Sequence, residues 1–291
     1  MTLIRVFPRL TNATPRDSLA FVGDPPFPEM LPPADEVHIS VAFTWDIVEA
    51  KRLQRAWERF YPDRVRIGGP AMGSPAREFV PGRYLREGYT ITSRGCPNHC
   101  PHCLVPGREG NLCALYPVPP GHIEQSNNLL ALPELDWWRV LAMLAGQRKA
   151  AKLVGGLQAD LFTDEKAFEL RSNVRVKELF FAYDRPEQWR DVRQAIRTAI
   201  YWFGKGREDE PQRKVRCYVF AGYDGDTPKQ AVNRCRQVLA EHAVPFLMLW
   251  QPADRFIEYH NTEWQPLMRK WMLPAATLTN WEEEVAALCS I

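Results

Sequence analysis

Long hydrophobic runs are missing from this sequence: the longest apolar stretches, such as Val244 to Trp250, are strand-sized. A membrane-crossing helix requires roughly 20 apolar residues, so no membrane role is expected. Met1 to Leu10 holds two arginines but no continuous apolar core with small residues behind it; no secretory leader is read there, and a cytoplasmic location is expected. Surplus charge of one sign is missing too. A formal net charge of +2 falls short of the concentrated basic face that a phosphate backbone selects, and the run Arg213, Lys214 and Arg216 reads as the solvated start of a strand. Nucleic acid is possible as a partner but is not indicated by charge. The sequence also has no short-period repeat and no low-complexity tract beyond a proline-rich start.

The even, well-spread cysteine set of a secreted disulfide scaffold is lacking as well. Of seven cysteines, Cys96, Cys100 and Cys103 fall within eight residues, while Cys113, Cys217, Cys235 and Cys289 are scattered. Clustered cysteines in a reducing compartment point to metal. Cys217 in a strand and Cys235 on an apolar helical stripe read as small core residues. Cys113, ten positions beyond the cluster, either approaches an active site or fills space.

What is present is ordinary globular material: 291 residues, 45% hydrophobic and 25% charged, enough for one large domain or two small ones. The first 35 residues carry Pro8, Pro15, Pro25, Pro26, Pro28, Pro32 and Pro33; because proline disfavours helix interiors and central strands, they are expected to be an irregular lead-in. Glu36 to Phe43 alternates like a strand. Trp45 to Tyr61 places Ile47, Leu53, Trp57 and Phe60 on one helical face, and Arg64 to Gly69 returns as a strand. Residues 1–87 are thus expected to form a small Rossmann-like βαβ region.

Residues 88–291 alternate again. Strands are expected at Tyr89 to Ser93, His122 to Gln125, Leu153 to Leu157, Glu178 to Tyr183, Val215 to Ala221 and Pro245 to Trp250, with helices between most of them. Pro186 to Phe203 carries the apolar stripe Trp189, Val192, Ile196, Ile200 and Phe203. Thr227-Pro228 suits a helix start, opening a helix that turns Val232, Cys235, Val238 and Leu239 inward. Six alternating units imply an α/β fold with a parallel sheet, either open and doubly wound or curled into a partial barrel. Both forms put their site at the carboxyl ends of the strands.

Directly after the first of these strands stands Arg94-Gly95-Cys96-Pro97-Asn98-His99-Cys100-Pro101-His102-Cys103. Three thiolates on so short a loop can each reach a different iron of one cubic cluster, leaving the fourth iron without a cysteine. The C-x3-C-x2-C pattern closely resembles that of the radical S-adenosylmethionine superfamily, over roughly Gly88 to Met272. The resemblance implies a partial (β/α)6 barrel and a 4Fe–4S cluster on Cys96, Cys100 and Cys103. It also implies an oxygen-sensitive enzyme in which S-adenosyl-L-methionine, chelating the open iron, is cleaved to a 5′-deoxyadenosyl radical that abstracts hydrogen from a substrate. An electron donor of flavodoxin or ferredoxin type is the implied partner; the substrate is open between a small metabolite, a nucleoside and a nucleic-acid base. In that family an aromatic residue near the adenine usually precedes the third cysteine; here it is His102.

Two other readings remain open: an iron–sulfur electron carrier, and a zinc-dependent nucleic-acid-binding module in which the three cysteines join His99, His102 or Cys113 in a tetrahedral site. The family's Gly-Gly-Glu-like segment is absent. Gln125-Ser126-Asn127-Asn128 and Gly155-Gly156-Leu157-Gln158 are the nearest candidates for its role, and the former is favoured. Gln158 and Asp160, Tyr183 and Asp184, Tyr223 and Asp224, and Gln251 all fall at strand ends. The candidate cofactor contacts are therefore His102, Gln125, Asn127, Asn128, Gln158, Asp160 and Asp184. Ala42 to Gly95, with Ile67-Gly68-Gly69-Pro70 and Phe79-Val80-Pro81-Gly82, looks like a shortened relative of the cobalamin-binding domain of some such enzymes. The cobalt-ligand pattern Asp-x-His-x-x-Gly is absent, so no cobalamin is expected.

Overall fold

The computed structural model describes residues 1–73, 78–204, 212–253, 257–259, 262–279 and 281–288; Cys289 lies outside them. The N-terminal region contains β1 (Leu3–Phe7), β2 (Ala20–Val22), β3 (Glu36–Ser40), α1 (Ile47–Glu58) and β4 (Val65–Gly68). All four strands are parallel, in the order β2-β1-β3-β4.

The expected irregular lead-in is overturned, because β1 is an interior strand paired on both sides. The prolines punctuate rather than prevent the strands. Pro8 follows β1 and Pro15 lies in the connection to β2, so Leu3 to Phe7 keeps every amide and buries Ile4 and Val6 completely. On α1, Ala50, Leu53 and Trp57 face the sheet. Phe60 does not join them: the helix ends before it, and it is exposed.

The second region opens with β5 (Tyr89–Thr90), β6 (Ser93–Arg94), α2 (Val105–Glu109), β7 (Cys113–Ala114) and β8 (Ile123–Glu124). It continues as α3 (Glu134–Ala145), β9 (Ala151–Leu157), α4 (Asp164–Asn173), β10 (Val176–Tyr183) and α5 (Trp189–Phe203). Then come β11 (Gln212–Ala221), α6 (Pro228–Ala240), β12 (Ala243–Leu249), α7 (Trp264–Trp271), α8 (Pro274–Thr279) and α9 (Trp281–Leu288). Strands β5, β8, β9, β10, β11 and β12 lie side by side in chain order, every pair parallel, as strand-helix-strand repetition requires. The molecule is therefore mixed α/β with two parallel sheets.

The strand expected over Tyr89 to Ser93 is interrupted. The amides of Thr92 and Ser93 turn to the Ser126 hydroxyl, at 2.9 and 3.0 Å, and β6 leaves the sheet to pair antiparallel with β7. Elsewhere the apolar periodicity holds. Val192, Ile196 and Phe203 of α5 are buried, and α6 starts with Thr227 capping the Gln230 amide while the Gln230 side chain returns to Thr227. That is the reciprocal arrangement of a capping box. Helix faces pack on one side of the sheet, where Leu153, Leu179, Phe181, Cys217, Val219 and Leu247 are buried. Among the described residues, no helix is long and apolar enough to cross a membrane.

Candidate functional site

Parallel pairing gives the six carboxyl ends one common edge, and the cysteine loop leaves the first of them. Gly95 sets its path. It sits at φ +73°, and a Cβ there would lie 2.2 Å from the Asn111 carbonyl oxygen, so only glycine lets the outgoing chain press against the returning one. The Cys96 amide then donates to Gly110 O at 3.2 Å and the Cys103 amide to Cys100 O at 3.0 Å. Glu109 braces the base of the loop: its carboxylate accepts from the Gly95 amide at 3.2 Å and from Asn127 Nδ2 at 2.7 Å, and stands 3.8 Å from the Arg94 guanidinium.

Cys96, Cys100 and Cys103 are free thiols, each partly buried. Burial pushes the Cys100 and Cys103 thiols above their ordinary range, and the nearby Asp184 carboxylate and the neighbouring cysteines push the same way. Among the described residues, no set of three His, Cys, Asp or Glu side chains is gathered tightly enough to hold a single metal ion.

Side chains from the next strand ends reach this loop. After β8, Asn128 Nδ2 lies 3.5 Å from Cys96 Sγ and 2.7 Å from Gln158 Oε1. After β9, Gln158 also accepts from Asn98 Nδ2 at 2.7 Å and donates to Asp160 at 3.0 Å. After β10, Asp184 Oδ2 stands 3.6 Å from His102 Nε2. The His102 ring lies over Phe220, centroids 4.5 Å apart, and edge-on to Tyr223 at 5.6 Å, which in turn meets Trp250 at 5.4 Å. His102, Asn127, Asn128, Gln158, Asp160 and Asp184 are therefore brought together around the three cysteines. Asn128 Oδ1 is buried without a hydrogen-bond partner, which is rare enough in folded proteins to mark a place awaiting a donor.

Other strand-end residues serve the fold instead. Tyr183 is buried, its hydroxyl donating to Gln237 at 2.9 Å, because its side chain faces the helices. Gln251 spends its amide on its own connection, accepting from the Ile257 amide at 2.7 Å. Asp224 is in a turn beside Gly225, both at positive φ. Gln125 is held near Thr90 by its backbone amide, at 3.0 Å; its neighbours Ser126 and Asn128 alternate to the buried side. Cys113 is exposed opposite Arg94 on the β6–β7 ribbon, and Cys217 and Cys235 are core residues.

Sequence reasoning missed Asn98, Glu109, Phe220 and Trp250. Asn98 sits inside the cysteine pattern and could have been read with it. Glu109 works across the ribbon, a pairing no spacing rule announces. Missed too was Glu124, fully buried under Ser126 and Thr92, whose amide and hydroxyls satisfy only its Oε1; burial holds its carboxyl above the ordinary range. Compared with protein-family models and with curated proteins, the chain matches neither.

Proposed function

We propose that this protein is a radical S-adenosylmethionine enzyme acting on a substrate still to be identified, with the six-strand sheet forming a partial barrel around its site. The observation that carries this reading is the convergence of a three-cysteine loop with polar side chains from three successive strand ends: Asn128 at Cys96, Gln158 at Asn98 and Asp184 at His102. The donor set fits an iron–sulfur cluster, because three soft sulfur ligands share one short loop. Cys96, Cys100 and Cys103 would hold the cluster, and Asn128, Gln158, Asp160, His102 and Asp184 would line the cofactor's place. When bound, the cluster and S-adenosyl-L-methionine together supply reductive carbon–sulfur cleavage and a hydrogen-abstracting carbon radical.

The chain's own residues do the positioning. Asn128 donates toward Cys96 and offers its unpartnered Oδ1 to an incoming N–H donor, such as the amino group of the cofactor's methionine part. Gln158 is clamped between Asn98 and Asn128, which fixes that carbonyl and keeps the loop registered to β9. His102, packed on Phe220 and facing Asp184, offers a flat surface with a carboxylate at its edge, suited to a heteroaromatic ring. Tyr223 and Trp250 continue this aromatic surface. Electrons come from a flavodoxin- or ferredoxin-type donor, and no cobalamin takes part.

The test is direct. Anaerobically reconstituted, reduced protein given S-adenosyl-L-methionine is expected to release 5′-deoxyadenosine and methionine, detected by chromatography, slowly without substrate. Protein with a full cluster complement that neither releases 5′-deoxyadenosine nor changes its electron paramagnetic resonance signal on adding S-adenosyl-L-methionine would overturn the proposal in favour of electron transfer.

A further inference from the structure

The N-terminal sheet has its own crevice. β2 and β3 lie on opposite sides of β1, so the chain leaving β1 and the chain leaving β3 turn apart at their carboxyl ends. In open parallel sheets that divergence is where ligands bind. Here it opens a cavity of about 400 Å³, lined by Phe7 at the end of β1 and Arg9 beyond it, Ser40 at the end of β3 and Phe43 beyond it, Gly68 at the end of β4, and Tyr84 and Arg94. That volume falls within the range of single small-molecule sites.

Two glycines shape its wall differently. A Cβ on Gly69 would lie 2.7 Å from the Val41 carbonyl oxygen, so glycine is needed for β4 to end against β3. A Cβ on Gly68 would meet no atom within 4 Å; the lack of a side chain there leaves space open. The rest of the wall is mostly apolar and includes the rings of Phe7, Phe43, Phe79 and Tyr84, the Tyr84 hydroxyl being held by His38 Nδ1 at 2.6 Å.

The charge at the cavity is cationic. Arg9, Arg66, Arg83 and Arg94 face two acids, Asp46 and Glu78, and Asp46 is taken by Arg9 at 2.6 Å. Arg94 stands apart from the others. Its side chain is 16% exposed, its nearest carboxylate, on Glu109, is 3.8 Å away, beyond hydrogen-bond reach, and its Nε is buried without a partner. A largely buried guanidinium with no carboxylate within hydrogen-bond reach, at the wall of a mostly apolar cavity, matches an anionic group on an apolar body.

We propose that this cavity binds a small planar organic anion, an aromatic or heteroaromatic body carrying a carboxylate, sulfonate or phosphate, with the anion on Arg94 and the body against the apolar wall that includes Phe43 and Tyr84. The site needs neither iron nor S-adenosyl-L-methionine, so its test is independent of the function proposed above. The probe is 8-anilinonaphthalene-1-sulfonate, titrated by fluorescence into the full chain beside its uncharged counterpart N-phenyl-1-naphthylamine. One sulfonate probe is expected to bind per chain. Arg94→Gln should weaken it about tenfold or more, the loss of a charge-assisted contact, while leaving the uncharged compound little changed. Gly68→Leu, which fills open space, should weaken both. Sulfonate affinity unchanged in Arg94→Gln, or both probes unaffected in Gly68→Leu, would overturn the site. Should Arg94→Gln fail to fold by circular dichroism, Gly68→Leu alone decides.

Discussion

Gly95 and Glu124 are neighbours of the cysteine loop that contribute no ligand, and each governs it by a different physical route. At Gly95 the constraint is steric: positive φ and a Cβ position 2.2 Å from a carbonyl oxygen leave no accommodation for alanine. Gly95→Ala is therefore expected to displace the Cys96 turn and cut iron retained after anaerobic reconstitution to well below half of wild type, with the far-ultraviolet circular dichroism preserved. At Glu124 the constraint is electrostatic. Burial raises its carboxyl above the ordinary 4.5, so the folded state prefers the protonated acid and the unfolded state loses its proton first. The wild-type fold should lose stability as pH rises from about 4.5 through the folded-state value, then level off. Glu124→Gln, neutral throughout, is expected to remove this slope, so the variant gains on wild type from pH 4 to pH 7 in urea midpoints. Parallel pH profiles for the two proteins would refute this. Residues such as Asn128 and Gln158 were legible because strand ends are where a parallel sheet exposes polar groups. Glu109 and Glu124 were not, since a carboxylate's partners across a ribbon or under a loop leave no periodic trace.

Elements with long apolar periodicity read well from sequence, and short ones only in part. β9 to β12, α1, α5 and α6 each bury a stripe long enough to repeat; β5 and β8, two residues each, lie inside the longer strands expected there, whereas β2, α2 and β7 carry no period to read. β1 was missed for another reason: proline content was averaged over 35 residues, while a five-residue strand needs only its own amides. The turn from β11 into α6 shows how much an element owes to a partner outside its pattern. Arg234, on the inner face of α6 and 4% exposed, bonds both oxygens of Asp226, at 3.0 and 2.6 Å, and the Phe220 carbonyl at 2.9 Å. This clamps the helix to the strand end that carries Tyr223. Removing one partner strands a buried charge, so Asp226→Ala should cost about 3–5 kcal/mol in urea unfolding. Thr227→Ala, which removes only an exposed cap, should cost about 1 kcal/mol.

At the scale of the whole molecule, the chain-ordered parallel sheet turns a linear sequence into a site, since each strand delivers its last residues to the same edge and the first delivers the cysteines. Among the described residues there are two separate buried clusters, one around Trp57 and one around Phe181 and Leu153. The larger is built on the six-strand sheet, and position relative to that sheet sorts the cysteines. Cys96, Cys100 and Cys103 share the strand-end edge; Cys235 is completely buried between α6 and the sheet, and Cys113 is exposed on the ribbon. Replacing Cys96, Cys100 or Cys103 by alanine should abolish the brown colour and bring iron in anaerobically purified protein to background. Cys235→Ala and Cys113→Ala should keep both. Loss of the small Cys235 side chain leaves a cavity about the size of one sulfur, so its cost should appear in thermal stability rather than in iron. Colour surviving in the three loop variants would remove the ligands on which the enzymatic reading depends; iron lost equally from Cys113→Ala would bring the ribbon into the metal site and require its β6–β7 pairing to open.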